Sequence, residues 1–223
     1  MVAVPDEGYG FAGWYVGKSE TPVSTDSYFT FTASKDLELV AKFKHHEYVD
    51  LGLPSGIKWA TCNVGATTPE GYGDYFAWGE TSPKSSYDSR NSVTFGKSMG
   101  DISGKAQYDA ARANWGGDWR LPTEAEFEEL QNSSNCTWTR TTQNGVNGCK
   151  VTSVRNGNSI FLPAAGYRVG TSLSNEGSGG YYWSSTPLES DDYDSYYLDF
   201  YGGHHGTNRI FRYYGRSVRP VLE

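Results

Sequence analysis

Apolar and polar positions change their period several times along the chain, and each change marks an element. After Gly8-Tyr9-Gly10, the residues Phe11, Trp14 and Tyr15 form an apolar opening. Residues 27–34 (SYFTFTAS) then alternate, as do residues 36–44 (DLELVAKFK), which set Leu37, Leu39, Ala41 and Phe43 on one face. Period two marks half-buried strands, so residues 1–44 read as a small β-unit. From Tyr48 the pattern breaks into short apolar runs divided by Pro54-Ser55-Gly56 and Asn63-Val64-Gly65, and residues 71–104 are dominated by turn formers. KAQYDAARAN (105–114) predicts a short helix, stopped by Trp115-Gly116-Gly117. The clearest helix spans 124–131. Thr123 stands at its N-cap with Glu126 three residues on, which is a capping box, and Glu124, Glu126, Glu128 and Glu129 suit the positive end of the helix dipole. SIFLPAAGYR reads as a buried strand ending at Pro163, and YYWSST (181–186) as another. In residues 196–201, Tyr196, Leu198 and Phe200 share one face and Tyr197, Asp199 and Tyr201 the other. The second set is expected to point outward. RSVRPV (216–221) should close the domain.

Composition changes this picture in three ways. Aromatic residues make up 15% of a chain that is only 37% apolar, so rings must supply much of the core. A net charge of −7 repels a phosphate backbone, which argues against a nucleic-acid partner. No apolar run reaches membrane-spanning length and no signal peptide opens the chain, so no membrane insertion is expected. Leu222-Glu223, after SVRPV, reads as a cloning remnant and the chain as an excised fragment of a longer protein.

Candidate chemistry is sparse. Cys62, Cys136 and Cys149 allow one bridge with a free thiol, or three reduced thiols, and no Cys-x-x-Cys pair signals zinc. Gly96-Lys97-Ser98-Met99-Gly100 matches a nucleophile elbow in letters, but GDISG cannot open the long helix such a Ser needs. Asn91 stands where a phosphate loop needs its first Gly. Glu189, Asp191, Asp192 and Asp194 could offer oxygen ligands to calcium, yet their spacing is not that of an EF-hand and a solvated loop is the plainer reading. Neighbouring His45 and His46 point to opposite faces of an extended chain, so residues 45–47 read as a linker. His204 and His205 read as part of a surface turn. No cofactor or metal is expected. What stands out is residues 181–214, which hold eight of the chain's 17 Tyr among Asp, Ser, His and Asn.

Two resemblances give this pattern a context. GYGFAGWY followed by YFTFTASKDLELVAKFK resembles the internalin B-type repeat, a β-grasp-like spacer of bacterial surface proteins, without its first strand. WRLPTEAEFEEL, YYWSST and GRSVRPV, joined to YVDLGLPSGIKWATCNVGA and YGDYFAWGE, resemble the C-type lectin fold in its formylglycine-generating-enzyme-like branch, over residues 48–221. That likeness implies an α+β domain of short antiparallel sheets, two helices and many loops. The sulfatase-activating members of the branch use a pair of Cys near the C-terminal end, and no Cys follows Cys149 here. The Glu-Pro-Asn, Gln-Pro-Asp and Trp-Asn-Asp triplets of calcium-dependent sugar lectins are also missing. The branch also holds the variable proteins of diversity-generating retroelements, whose diversified Asn codons yield Tyr, Asp, Ser, His, Asn, Thr, Ile, Phe, Arg and Gly. Asp192, Tyr193, Asp194, Tyr197, Asp199, Tyr201, His204, His205, Thr207, Asn208, Arg209, Ile210, Phe211 and Tyr214 match that set. The likeness implies that they form the ligand-binding face of a non-catalytic module on the outer surface of a bacterium, with a protein or glycan on another surface as partner. Tyr with small polar residues is also the mixture of antibody paratopes. The alternatives are a divergent enzyme of the same branch and a structural adhesin tip.

Overall fold

The computed structural model describes residues 1–32 and 36–223. Its N-terminal unit is a hairpin of β1 (Tyr9–Val16) and β2 (Leu39–His45), antiparallel, with a bulge between Phe11 and Gly13. The strand expected at 27–34 does not form over residues 27–32, where a lone bridge joins Tyr28 to Val2; residues 33–35 lie outside the described residues. Alternation alone did not make a half-buried strand here: Tyr28 and Phe31 are 63% and 40% exposed.

Small antiparallel sheets and two short helices make up the rest. β3 (Tyr48–Asp50) and β4 (Lys58–Ala60) pair, α1 spans Ala110–Trp115 and α2 spans Glu124–Gln131. β5 (Cys136–Gln143), β6 (Val146–Ser153) and β7 (Ser159–Pro163) form a meander. β8 (Tyr167–Val169) and β9 (Ser172–Ser174) form a small hairpin. β10 (Gly179–Pro187), β11 (Asp194–Tyr201) and β12 (His204–Phe211) form the last meander. β13 (Val221–Leu222) returns to pair with β4. RSVRPV is therefore not one strand: only its end reaches β13, and Arg216 and Ser217 make isolated bridges to Phe76 and Tyr182. Leu222, expected to lie outside the domain, pairs with Lys58 and is 1% exposed.

Local chemistry explains the helices. α2 carries the full capping box: Thr123 Oγ1 accepts from the Glu126 amide at 3.3 Å, and Glu126 Oε2 accepts from the Thr123 amide at 2.7 Å. Thr123→Ala is expected to cost about 1 kcal/mol in urea unfolding, the usual worth of an N-cap. α1 starts later than expected because the buried carboxylate of Asp109 caps it, accepting from the amides of Ala111, Arg112, Gly104 and Leu121. The cysteines are free thiols, with Cys136 and Cys149 buried in the core.

The last meander lies between two cores. Tyr182, Leu198 and Phe200 pack on Trp59, Phe127 and Val151. Tyr181, Trp183 and Tyr197 pack on Phe76, Trp78 and Trp119. Both faces of β11 are thus covered over much of its length, and period two does not separate inside from outside there.

The hairpin is fastened to the larger unit. Gly10 lies so close to the Trp115 carbonyl that a Cβ would overlap it, and Glu7 pairs with Lys58. The His46 ring stacks on Trp115 with centroids 3.8 Å apart and planes 11° apart. Residues 45–47 are therefore packed, not a free linker: His45 ends β2 and His46 fills the junction.

Candidate functional site

β11 and β12 fix which residues meet. Directly paired residues share a face, so Trp183, Tyr197 and Asn208 lie together, as do Tyr181, Asp199 and Gly206, and Tyr201 with His204. On the opposite face lie Tyr196 with Arg209, Leu198 with Thr207, and Phe200 with His205. This corrects the outward assignment of Tyr197 and Asp199, which are 8% and 2% exposed; only Tyr201 of that trio is open, at 49%. It also corrects the turn expected at His204-His205. Gly202-Gly203 makes the turn, with both φ values positive at 53° and 87°, and the two histidines begin β12 on opposite faces. His205 stacks on Trp138 at 4.7 Å, and Thr207 Oγ1 accepts from Gln131 Nε2 at 2.5 Å. Both serve the seat of α2 rather than the face holding Tyr197.

A third group forms around a loop residue that the sequence did not single out. Phe95 touches Tyr193 at 4.9 Å, Tyr213 at 5.2 Å and Phe211 at 5.8 Å. Tyr193 and Phe211 are 49% and 43% exposed. Asp191 accepts from the amides of Tyr193 and Asp194 at 2.7 and 2.8 Å, so this acid shapes the loop that presents Tyr193. No metal-like group of three His, Cys, Asp or Glu occurs among the described residues. Ser98 sits on exposed coil, with no strand before it and no helix directly after it.

From this patch an unbroken series of ring contacts runs inward. Tyr213 touches Tyr214 at 5.1 Å, Tyr214 touches Tyr167 at 5.7 Å, Tyr167 touches Tyr181 at 5.0 Å and Tyr181 touches Tyr197 at 6.3 Å. Asn175, held at φ +58°, donates to the Tyr181 hydroxyl at 2.7 Å and fixes that ring. The series ends on Arg216. Its guanidinium lies 3.6 Å from the Tyr197 centroid and within 6 Å of Tyr167, Tyr181, Trp183 and Tyr214. Its backbone is anchored on both sides, exchanging hydrogen bonds with Phe76 at 2.9 Å.

Three buried arginines invite comparison. Arg219 donates to Asn63, Ala60, Thr61 and Phe161. Arg212 donates to Asp194, Ser195, Thr94 and Lys97. Arg216 is 2% exposed, yet its Nε and Nη1 have no hydrogen-bond acceptor among the described residues. Burial pulls its pKa down to about 10, which leaves it charged at neutral pH. Beside it, Asp199 Oδ2 accepts from Asn208 Nδ2 at 3.1 Å, while Oδ1 makes no hydrogen bond and lies 3.6 Å from His204 Nε2. Burial raises the Asp199 pKa. Aromatic faces attract a cation but do not satisfy in-plane N–H groups, so Arg216 is the one of the three buried arginines that this core leaves short of acceptors.

Of the residues expected at a site, Tyr197, Asp199, Tyr201, His204, Asn208 and Tyr214 gather on the face next to Arg216. Asp192, Tyr193, Asp194 and Phe211 gather beside Phe95. His205, Thr207 and Arg209 lie on the other face of the sheet. Arg216, Tyr181, Tyr167 and Phe95 were missed. Buried Arg216 and Arg219 look alike in RSVRPV, and only their partners tell them apart.

The larger grooves lie away from this face. One of about 710 Å³ is lined by Ser103, Arg120 and Glu223, and one of about 360 Å³ lies between Val4 and Phe11 of the hairpin unit and Arg112 of α1. No helix among the described residues is long and apolar enough to cross a membrane. No curated protein and no solved structure matches the chain. A family model described as a domain of unknown function (DUF8237) matches residues 137–221, which take in the aromatic face and Arg216. Residues 1–47, the hairpin unit with His45 and His46, match the model of the divergent InlB B-repeat domain.

Proposed function

We propose that residues 48–222 are a C-type lectin-like, non-catalytic module that binds a ligand for a bacterial surface protein, with the InlB-type repeat as its spacer. The single observation that carries this reading is the series of aromatic rings that starts at exposed Tyr193 and Phe211 and ends on the unpartnered donors of Arg216. Grouped exposed rings mark interaction surfaces, and Tyr gives contact area at low entropic cost. The short antiparallel sheets, two helices and long loops agree with a lectin-like frame. The partner is a protein or glycan on another surface.

The test compares the intact chain with a triple variant, Tyr193→Ser, Tyr201→Ser and Phe211→Ser, on glycan arrays and on extracts of host and bacterial surface proteins. These side chains are about half open, so each substitution should cost about 0.5 kcal/mol and the variant should unfold no more than about 6 °C below the parent, still folded at the binding temperature. The expected result is a partner retained by the intact chain and lost, by tenfold or more, from the variant. Equal retention by both would place the site elsewhere and remove the reading.

A further inference from the structure

β12 ends its sheet, and its register with β11 runs from Asp194–Phe211 to Tyr201–His204 without a bulge. The tight turn at Gly202-Gly203 makes Tyr201 and His204 a hydrogen-bonded pair, so His204, Gly206, Asn208 and Ile210 direct their backbone groups to β11. The far side of β11 agrees. Tyr181 and Trp183 bond to Ser217, so β10 reaches Leu198 and Phe200 through Tyr182 and Gly180, which leaves Tyr197 and Asp199 for β12. His205, Thr207 and Arg209 therefore aim their N–H and C=O groups away from the sheet, where none of them finds a partner among the described residues. Trp138 and Gln131 touch the side chains of His205 and Thr207 on the α2 face, while Asn208, Arg209 and Phe211 beside the edge are exposed. Open edges are usually blunted by Lys, Pro or a bulge, and β12 carries none of these. β5 also ends its sheet, but its one ring, Trp138, is half-buried against His205, whereas β12 runs directly into exposed Phe211.

We propose that β12 accepts an extended segment of a protein partner as an added antiparallel strand. This rests on the binding-face reading and chooses polypeptide over glycan, because a peptide backbone repeats an N–H and a C=O at the spacing of the open row. Residues of the segment opposite Thr207 and Arg209 exchange both N–H···O bonds with them. Side chains are read on the α2 face. Arg209 forms no ion pair among the described residues, although Asp191 and Asp194 lie within its electrostatic reach. An acidic residue is favoured directly opposite it. Two positions earlier in the segment, an aromatic or β-branched residue meets Phe211, which stacks on Tyr213 and touches Phe95. Two positions later, a β-branched residue meets Thr207. The preferred segment thus reads apolar-x-acidic-x-β-branched.

The test selects a phage-displayed library of random nonapeptides on the parent chain and on Arg209→Glu. The parent is expected to enrich the apolar-x-acidic-x-β-branched pattern, and Arg209→Glu to enrich Lys or Arg at the middle position. The parent's best peptide, synthesised, should bind Arg209→Glu about fivefold more weakly, the upper range of one cross-strand pair. Arg209→Ala and Arg209→Pro both lose the charge, but only proline removes the outward N–H, a change that an edge strand tolerates. Arg209→Pro should bind the peptide about tenfold more weakly than Arg209→Ala; if it does not fold, the charge swap decides alone. No enriched pattern, a pattern indifferent to the charge at 209, or equal binding by the Ala and Pro variants would overturn the added strand. The binding face would still stand if the triple variant loses its captured partner, and would fall if that variant retains it, so the two failures are distinguishable.

Discussion

Arg219→Met is expected to cost about 3–5 kcal/mol in urea unfolding, whereas Arg216→Met should stay within about 1 kcal/mol of the parent or exceed it. The two residues are both buried and lie three positions apart, so burial alone predicts equal losses. Their partners predict otherwise. Removing Arg219 leaves Asn63 Oδ1 and the carbonyls of Ala60, Thr61 and Phe161 without their donor, and each abandoned buried acceptor costs roughly 1–3 kcal/mol. Removing Arg216 abandons no hydrogen-bond acceptor among the described residues. It deletes a desolvated cation compensated by ring faces and by the nearby Asp199, whose carboxyl burial already pushes toward its neutral form, and methionine keeps favourable contacts with those rings. A residue that the fold tolerates at a cost fits a role outside folding. Equal destabilisation by both substitutions would make Arg216 a structural cation and remove the core of the site.

Acidification from pH 7 to pH 4 is expected to loosen the junction between the repeat and the larger unit. Burial against Trp115, with Lys44 and His45 beside it, pulls the His46 pKa from 6.5 down to about 4. The sign follows from proton counting. Below pH 6.5 an undocked His46 takes up a proton that the docked ring refuses, so the docking free energy is intact above pH 6.5 and falls as pH approaches 4. The full shift corresponds to about 3 kcal/mol at most, and attraction of the charged ring to Trp115 offsets part of it. Carboxylates titrate in the same range, so the comparison is with His46→Phe, which keeps the stacking and cannot charge. Trp115 fluorescence and protease sensitivity near residues 45–47 should change between pH 6.5 and pH 4 in the parent and much less in His46→Phe. Identical profiles would show that His46 does not control the junction.

Much of the frame was legible in the sequence. The Thr123–Glu126 capping box, the strand ending at Pro163 and strands over 181–186 and 196–201 all appear, because short-range patterns set them. The β5–β6 hairpin was missed, although Asn144-Gly145 at its tip is the strongest hairpin signal the chain has; both residues adopt positive φ, 47° and 83°. β12 was read as a turn because Gly202-Gly203 and the polar residues after it conceal an edge strand that packs on α2. Alternation in β11 was read correctly as strand and wrongly as inside against outside, since a strand between two cores hides both sets. The candidate site was half legible. Its residue types pointed to residues 188–214, but the contrast between Arg216 and Arg219 depends on contacts with residues over a hundred positions away, which no local pattern encodes.

The most direct measurement is hydrogen–deuterium exchange of the intact chain with and without the partner captured in the screen. Slowed exchange in residues 193–201 and 204–217, together with the loop around Phe95, is the result predicted. Protection confined to the repeat, or to the grooves at Arg112 and Arg120, with residues 193–217 unchanged, would contradict it.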